Sequence, residues 1–170
     1  MDQMSLYFQA TLTRVWAPVG QTPIIKVASQ RDCIHFYGAL DMRTGREIAL
    51  PAVEQTNQVT ADFLRILLML FPNPPMLLLL DRAPWHHGAA INEVLDENPR
   101  LELMFYPPAC PDLNPQEHVW GQARDAVSHN HTQSCFDQLI SDFETFLNET
   151  LFDIEFMEKY GPPIDPAIWN

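Results

Sequence analysis

Leu77-Leu78-Leu79-Leu80-Asp81-Arg82-Ala83-Pro84-Trp85-His86-His87 is the stretch on which the reading of this chain turns. A continuous apolar run that ends on an acid predicts a short strand buried on both faces, with Asp81 at its carboxyl end. In open α/β sheets, sites gather just beyond the carboxyl ends of strands. A second stretch, Tyr106-Pro107-Pro108-Ala109-Cys110-Pro111-Asp112-Leu113-Asn114-Pro115-Gln116-Glu117-His118-Val119-Trp120, reads as a proline-stiffened loop feeding a helix. Glu117 falls in the first turn of that helix. The two segments therefore carry two carboxylates, on separate elements, to one possible point.

Outward from this centre the pattern alternates. Residues 24–27 and 33–40 read as strands, and Asp41-Met42-Arg43-Thr44-Gly45 turns the chain into a third over residues 47–53. Asp41 is expected to bond its own turn. Residues 57–71 place Val59, Phe63, Leu64, Ile66, Leu67, Leu70 and Phe71 on one broad helical face, capped by Thr56 or Thr60 and stopped by Pro72-Asn73-Pro74-Pro75. That helix leads into the strand over residues 76–80 as a β-α-β unit. A shorter helix over 89–97, a strand over 101–106 and two closing helices complete the pattern. Val119, Trp120, Ala123 and Val127 line the first of these. Phe136, Leu139, Ile140, Phe143, Phe146, Leu147 and Leu151 line the second, with Ser134 or Thr132 at its start.

Composition bounds the function. An apolar fraction of 46% over 170 residues suits one globular domain, here residues 1–151, followed by an acidic, proline-containing tail over 152–170. Arg65 interrupts the longest apolar helix, so no membrane span is expected, and the N-terminus lacks the pattern of a secretory signal. Cys33, Cys110 and Cys135 read as reduced thiols of a cytosolic protein, with neither disulfide nor zinc spacing. A net charge of −12 opposes nucleic-acid binding, which needs Lys and Arg to displace counterions. The surplus is uneven, however. From Asp137 onward there are eight acids and one base, whereas the first fifty residues set Arg14, Lys26, Arg31, Arg43 and Arg46 against four acids. Any track for DNA is expected on the first half.

The two stretches together resemble the catalytic core of DDE transposases, in the insertion-sequence branch related to the mariner elements. That pattern has a strand ending in Asp, a His five residues on, and a loop of the form Pro-x-x-Ser-Pro-Asp-Leu-Asn-Pro-x-Glu-x-x-Trp. Here these are Asp81, His86 and the run from Pro107 to Trp120, with 35 residues between Asp81 and Glu117. Cys110 replaces the usual Ser, and Arg82 replaces the usual Asn. The resemblance extends to Arg14-Val15-Trp16-Ala17-Pro18-Val19-Gly20-Gln21-Thr22-Pro23, which places the family's first acid at Asp2, at the end of a strand, with Gln3 in place of Glu. Read alone, Asp2 is a terminal residue prone to fray.

The resemblance implies an RNase H-like α/β fold: a mixed sheet with an antiparallel meander, then parallel strands, flanked by helices, its first strand truncated. It implies that Asp2, Asp81 and Glu117 hold two Mg²⁺ or Mn²⁺ ions, with His86 in support near the phosphate or Asp81. Carboxylates without a Cys/His set suit such hard cations, which clamp the attacking and leaving oxygens of a phosphoryl displacement. The implied activity is DNA cleavage at element ends and strand transfer into target DNA. The implied partners are DNA, an upstream helix-turn-helix part and a second copy in a homodimer, in a prokaryotic cytoplasm and on the nucleoid when bound to DNA. Two further readings stay open: a truncated, non-catalytic remnant used as an interaction module, and a simple metal-dependent nuclease. Glu117 also has a structural reading, since Asn114 as helix cap and Pro115 in the first position make it the third residue of a capping box.

Overall fold

The computed structural model describes residues 1–25, 29–108, 110 and 113–153. Its first three strands, β1 (Asp2–Tyr7), β2 (Cys33–Asp41) and β3 (Arg46–Ala52), form an antiparallel meander in that order. Next come α1 (Asn57–Leu70), β4 (Met76–Leu80), α2 (Ala89–Glu97), β5 (Leu101–Phe105), α3 (Gln116–Ala123) and α4 (Phe136–Glu149). β4 and β5 pair in parallel, with α2 as their crossover. A meander followed by parallel strands is the order expected from the sequence. The two ladders meet at a seam where the amino group of Met1 donates to Leu79 O at 2.9 Å. No helix among the described residues is long and apolar enough to cross a membrane.

Helices lie on both faces. Met4, Leu6, Phe8, Phe36 and Ala49 pack with Val119, Trp120, Leu139, Phe143 and Leu147 beneath α3 and α4. On the other face, Tyr37, Ala39 and Leu101 pack with Phe63, Leu64, Leu67, Ile91 and Val94 of α1 and α2. The side-chain alternation of β1 explains how one short strand serves the first layer. Asp2, Met4 and Leu6 point inward, while Gln3, Ser5 and Tyr7 are more exposed. Thr56 caps α1 by accepting from Val59 N at 3.2 Å, the first of the two candidates. Gly38 lies where a Cβ would run into Glu47, Trp120 and the Gln116 amide, so sheet and α3 approach closely there.

Several expectations need correcting. Asp2 opens β1 instead of ending a strand, and the strand runs on to Tyr7 because the alternation carries Met4 and Leu6 into the core. The leucine run is not buried on both faces. Leu77 is 47% exposed and Met104, on the same side of the pair, 52%, because α1 and α2 cover only the opposite side. β3 and β4 do not pair, so the paired parallel unit is β4-α2-β5. Cys135 occupies the cap position of α4, with no side-chain capping bond, so neither Ser134 nor Thr132 serves. Leu151 is exposed and Phe152 buried, since the chain becomes extended at Thr150 and its alternation turns the next aromatic inward. The strand expected over 24–27 falls partly outside the described residues, and residues 24 and 25 are not in a strand; the tail beyond residue 153 lies outside them altogether.

Candidate active site

Three chain segments reach one end of the sheet, each carrying an acid. Asp81 directly follows β4, as expected of the leucine run. Asp2 begins β1, which the Met1–Leu79 bond sets beside β4. Glu117 lies in the first turn of α3.

Side-chain bonds lace these segments together. Asn114 Nδ2 donates to Asp2 Oδ2 at 2.9 Å, while Gln3 N donates to Asp2 Oδ1 at 2.7 Å. The loop before α3 is thus tied to β1 at the acid itself. From the neighbouring residue, Gln3 Oε1 accepts from Trp85 Nε1 at 2.6 Å and meets His86 Nε2 at 2.9 Å. His86 Nδ1 in turn lies 2.7 Å from Asp81 Oδ1 and 3.1 Å from Asp81 O. Ala83 N donates to the same Asp81 oxygen at 3.0 Å. β1 and the turn after β4 are therefore locked through one amide oxygen.

That network constrains protons. Indole N–H only donates, so it fixes Gln3 Oε1 as the acceptor, and His86 Nε2 facing that oxygen must carry a hydrogen. His86 Nδ1 faces the carboxylate and carbonyl oxygens of Asp81. Burial pushes the imidazole pKa down, opposed by the Asp81 carbonyl and carboxylate. At 1% exposure His86 is buried, and its Nδ1 contact is with Asp81.

Electrostatics also put the three acids in one neighbourhood. The Asp2 carboxyl, 8% exposed, has its pKa pushed up to about 6, first by burial and then by the negative charges of Asp81 and Glu117. Burial, with Asp2 adding to it, pushes the Tyr106 phenol up to about 12. Asp81 and Glu117 are exposed, and Glu117 makes no hydrogen bond through its carboxylate among the described residues. The capping box is only half made. Asn114 Oδ1 accepts from Gln116 N at 3.1 Å, which is cap behaviour, but Glu117 does not reach back. Its carboxylate stays available.

The donor set fits a hard divalent cation: carboxylate oxygens from three strands or turns, with free lone pairs on Asp81 and Glu117. As they stand, no three His, Cys, Asp or Glu side chains among the described residues are gathered in metal-holding geometry. Asp2 is instead held by Asn114 and Gln3 N. Asp112 and Pro111 of the loop lie outside the described residues.

Sequence reading missed four supporting groups. Gln3 figures there only as a departure, and Trp85, Gln116 and Glu47 carry no assigned role. Gln116 is buried, and its Oε1 accepts from Leu40 N at 3.2 Å while Nε2 donates to Glu47 Oε1 at 2.6 Å. Burial pushes Glu47 up to about 8, so it is a neutral acid at neutral pH. A polar residue two places from Ala49 on the inward side of β3 was the available signal for Glu47.

Comparison with known proteins gives the family. Residues 1–140 match the family described as DDE superfamily endonuclease. The insertion element IS630 uncharacterized 39 kDa protein of Shigella sonnei is 21% identical over 147 residues, 86% of this chain and 43% of that protein. The chain spans less than half the length of the curated relatives it matches. The crystal structure of the Mos1 mariner paired end complex with Mn superposes with a TM-score of 0.65 at 16% identity, over 93% of this chain and 49% of that one. The catalytic domain of Mos1 mariner transposase gives 0.58 at 12% identity, over 93% and 72%. At these identities the likeness speaks for the fold, which is RNase H-like.

Proposed function

The chain belongs to the DDE superfamily endonuclease family, and we propose that it cuts DNA at the ends of a transposable element and joins them to target DNA. Asp2, Asp81 and Glu117 are the acids we assign to divalent cations, Mg²⁺ or Mn²⁺, with two ions at the site. The observation that carries this reading is a pair of contacts: Asn114, three residues before Glu117, bonds Asp2, and Met1 N bonds Leu79 O, two residues before Asp81. The three acids lie 36 and more positions apart, and none of them forms a salt bridge to a Lys or Arg among the described residues. Carboxylates at the end of a sheet, offset in part by the Met1 amino group, suit a cation.

Bound cations would supply Lewis-acid activation of a water or a DNA 3′-hydroxyl, and charge neutralisation at the departing 3′-oxygen. The protein's own groups orient the acids. His86 and Ala83 N hold one Asp81 oxygen and leave the other free. Asn114 and Gln3 N keep Asp2 in place, and proton loss from Asp2 near pH 6 readies it as a ligand. Gln116 pins the first turn of α3 to the sheet, so Glu117 faces outward. No side-chain nucleophile is needed, since the attacking group is a water or a DNA 3′-hydroxyl. The helix-turn-helix part, the homodimer and a place on the bacterial nucleoid belong to the same proposal.

The test is nicking of supercoiled plasmid in Mg²⁺ or Mn²⁺. Wild type nicks and joins 3′-ended donor duplex to plasmid, and Asp81→Ala and Glu117→Ala lose both activities. Nicking without joining would favour a simple nuclease. Activity insensitive to both substitutions would remove the site as assigned, and no activity with the upstream part restored would favour a non-catalytic remnant.

A further inference from the structure

Arg82 follows Asp81, where the resembled pattern has Asn, and its geometry suits an anion. Its Nε donates to the backbone carbonyl of Tyr106 at 3.3 Å, across the carboxyl ends of β4 and β5. That bond anchors the inner nitrogen of the guanidinium. The two outer nitrogens, with four N–H groups, have no acceptor among the described residues. Arg82 forms no ion pair with its neighbour Asp81, whose bonded oxygen is taken by Ala83 N and His86.

The bases nearest to Arg82 along the chain are committed. Between Arg65 and Arg124 the sequence holds only Arg82 and Arg100 as Lys or Arg. Arg100 spends its guanidinium on Pro74 O and Leu68 O, at 2.9 and 2.8 Å, tying the loop before β4 to α1. Arg65 is paired with Asp62 and Glu93. A phosphodiester approaching Asp2, Asp81 and Glu117 meets negative charge, and this stretch offers one exposed cation with a free planar fork. Such a fork matches two phosphate oxygens, which a lysine does not.

We propose that Arg82 binds a DNA backbone phosphate beside the three acids, its outer guanidinium nitrogens on the non-bridging oxygens and its Nε anchored on Tyr106. The proposal rests on the reading of this chain as a DNA-cutting domain and adds a binding residue to it.

The experiment is fluorescence anisotropy of a labelled duplex against salt, in EDTA so that no cation contributes, with wild type, Arg82→Gln and Arg82→Lys. The expected result is binding about tenfold weaker for Arg82→Gln on unrelated duplexes alike. Its plot of log affinity against log salt is expected to be shallower by about 0.9. Arg82→Lys recovers the slope but not the full affinity, since it keeps the charge and loses the fork. A wild-type slope in Arg82→Gln, with both variants merely melting lower, would make Arg82 a strut between strand ends and overturn the proposal. If wild type also nicks plasmid in that case, only this assignment falls. A wild type with no salt-dependent affinity for DNA overturns the DNA-cutting reading and this assignment with it.

Discussion

Gln116 and Glu117 are neighbours on one helical turn, yet they live in opposite surroundings. Gln116 is 1% exposed, with its oxygen on Leu40 N and its nitrogen on Glu47. Glu117 is exposed and its carboxylate bonds to nothing among the described residues. The same contrast divides the polar groups around them. Glu47 is buried, neutral and tied to the scaffold, while Asp81 keeps an oxygen free in water. One region spends its hydrogen bonds on holding shape, and the other leaves lone pairs open. A site for a cation needs both, because ligands must be available and must be kept from wandering.

Substitutions should separate the two regions. The largest effect is expected at the open acids. Asp81→Ala and Glu117→Ala are expected to lower nicking by about a thousandfold or more, roughly 4 kcal/mol of barrier. Their stability in urea is expected to change by no more than about 0.5 kcal/mol, because both are exposed. Gln116→Leu reverses that balance. It removes the partner of Leu40 N–H and of Glu47 Oε1, at a cost of about 2–3 kcal/mol in urea unfolding. Gly38→Ala comes next, since the new methyl group must displace Glu47, Gln116 or the buried Trp120 ring, and is expected to cost about 1–3 kcal/mol.

A further effect depends on pH. Glu47 ionises near its ordinary 4.5 when unfolded and at about 8 when folded. Between those values the folded chain keeps a proton that the unfolded chain has released. Its contribution is complete below about 4.5 and is lost as pH rises toward 8. Glu47→Gln keeps the acceptor for Gln116 and removes the ionisation. Urea melts are expected to match wild type at pH 5 within about 0.5 kcal/mol and to show the variant more stable at pH 8.5. A variant less stable than wild type at both pH values would contradict a neutral Glu47.

Much of the fold was legible because its signals are local. The leucine run ended where the strand ends, and α2 lies on the predicted 89–97. β1 was not legible, because six residues starting with two polar ones at a chain end leave little pattern to count. The exposure of Leu77 was hidden as well, since an apolar residue does not announce which sheet face lacks a helix. At the site, Asp81 and Glu117 followed from strand end and loop, and Asp2 followed only from resemblance. The groups that join them could not be read. Gln3 with His86 is a contact 83 positions apart, and Glu47 with Gln116 one of 69. Such pairs are decided by packing and leave no spacing to recognise.

The account rests on three acids from separate segments sharing a divalent cation, and Mn²⁺ soaked into crystals of the protein tests it through anomalous scattering. The expected map has its peak bonded to carboxylate oxygens of Asp2 and Asp81, with Glu117 turned toward it. Manganese bound to other acids, with Asp2 still held by Asn114 and Glu117 still in water, would contradict it.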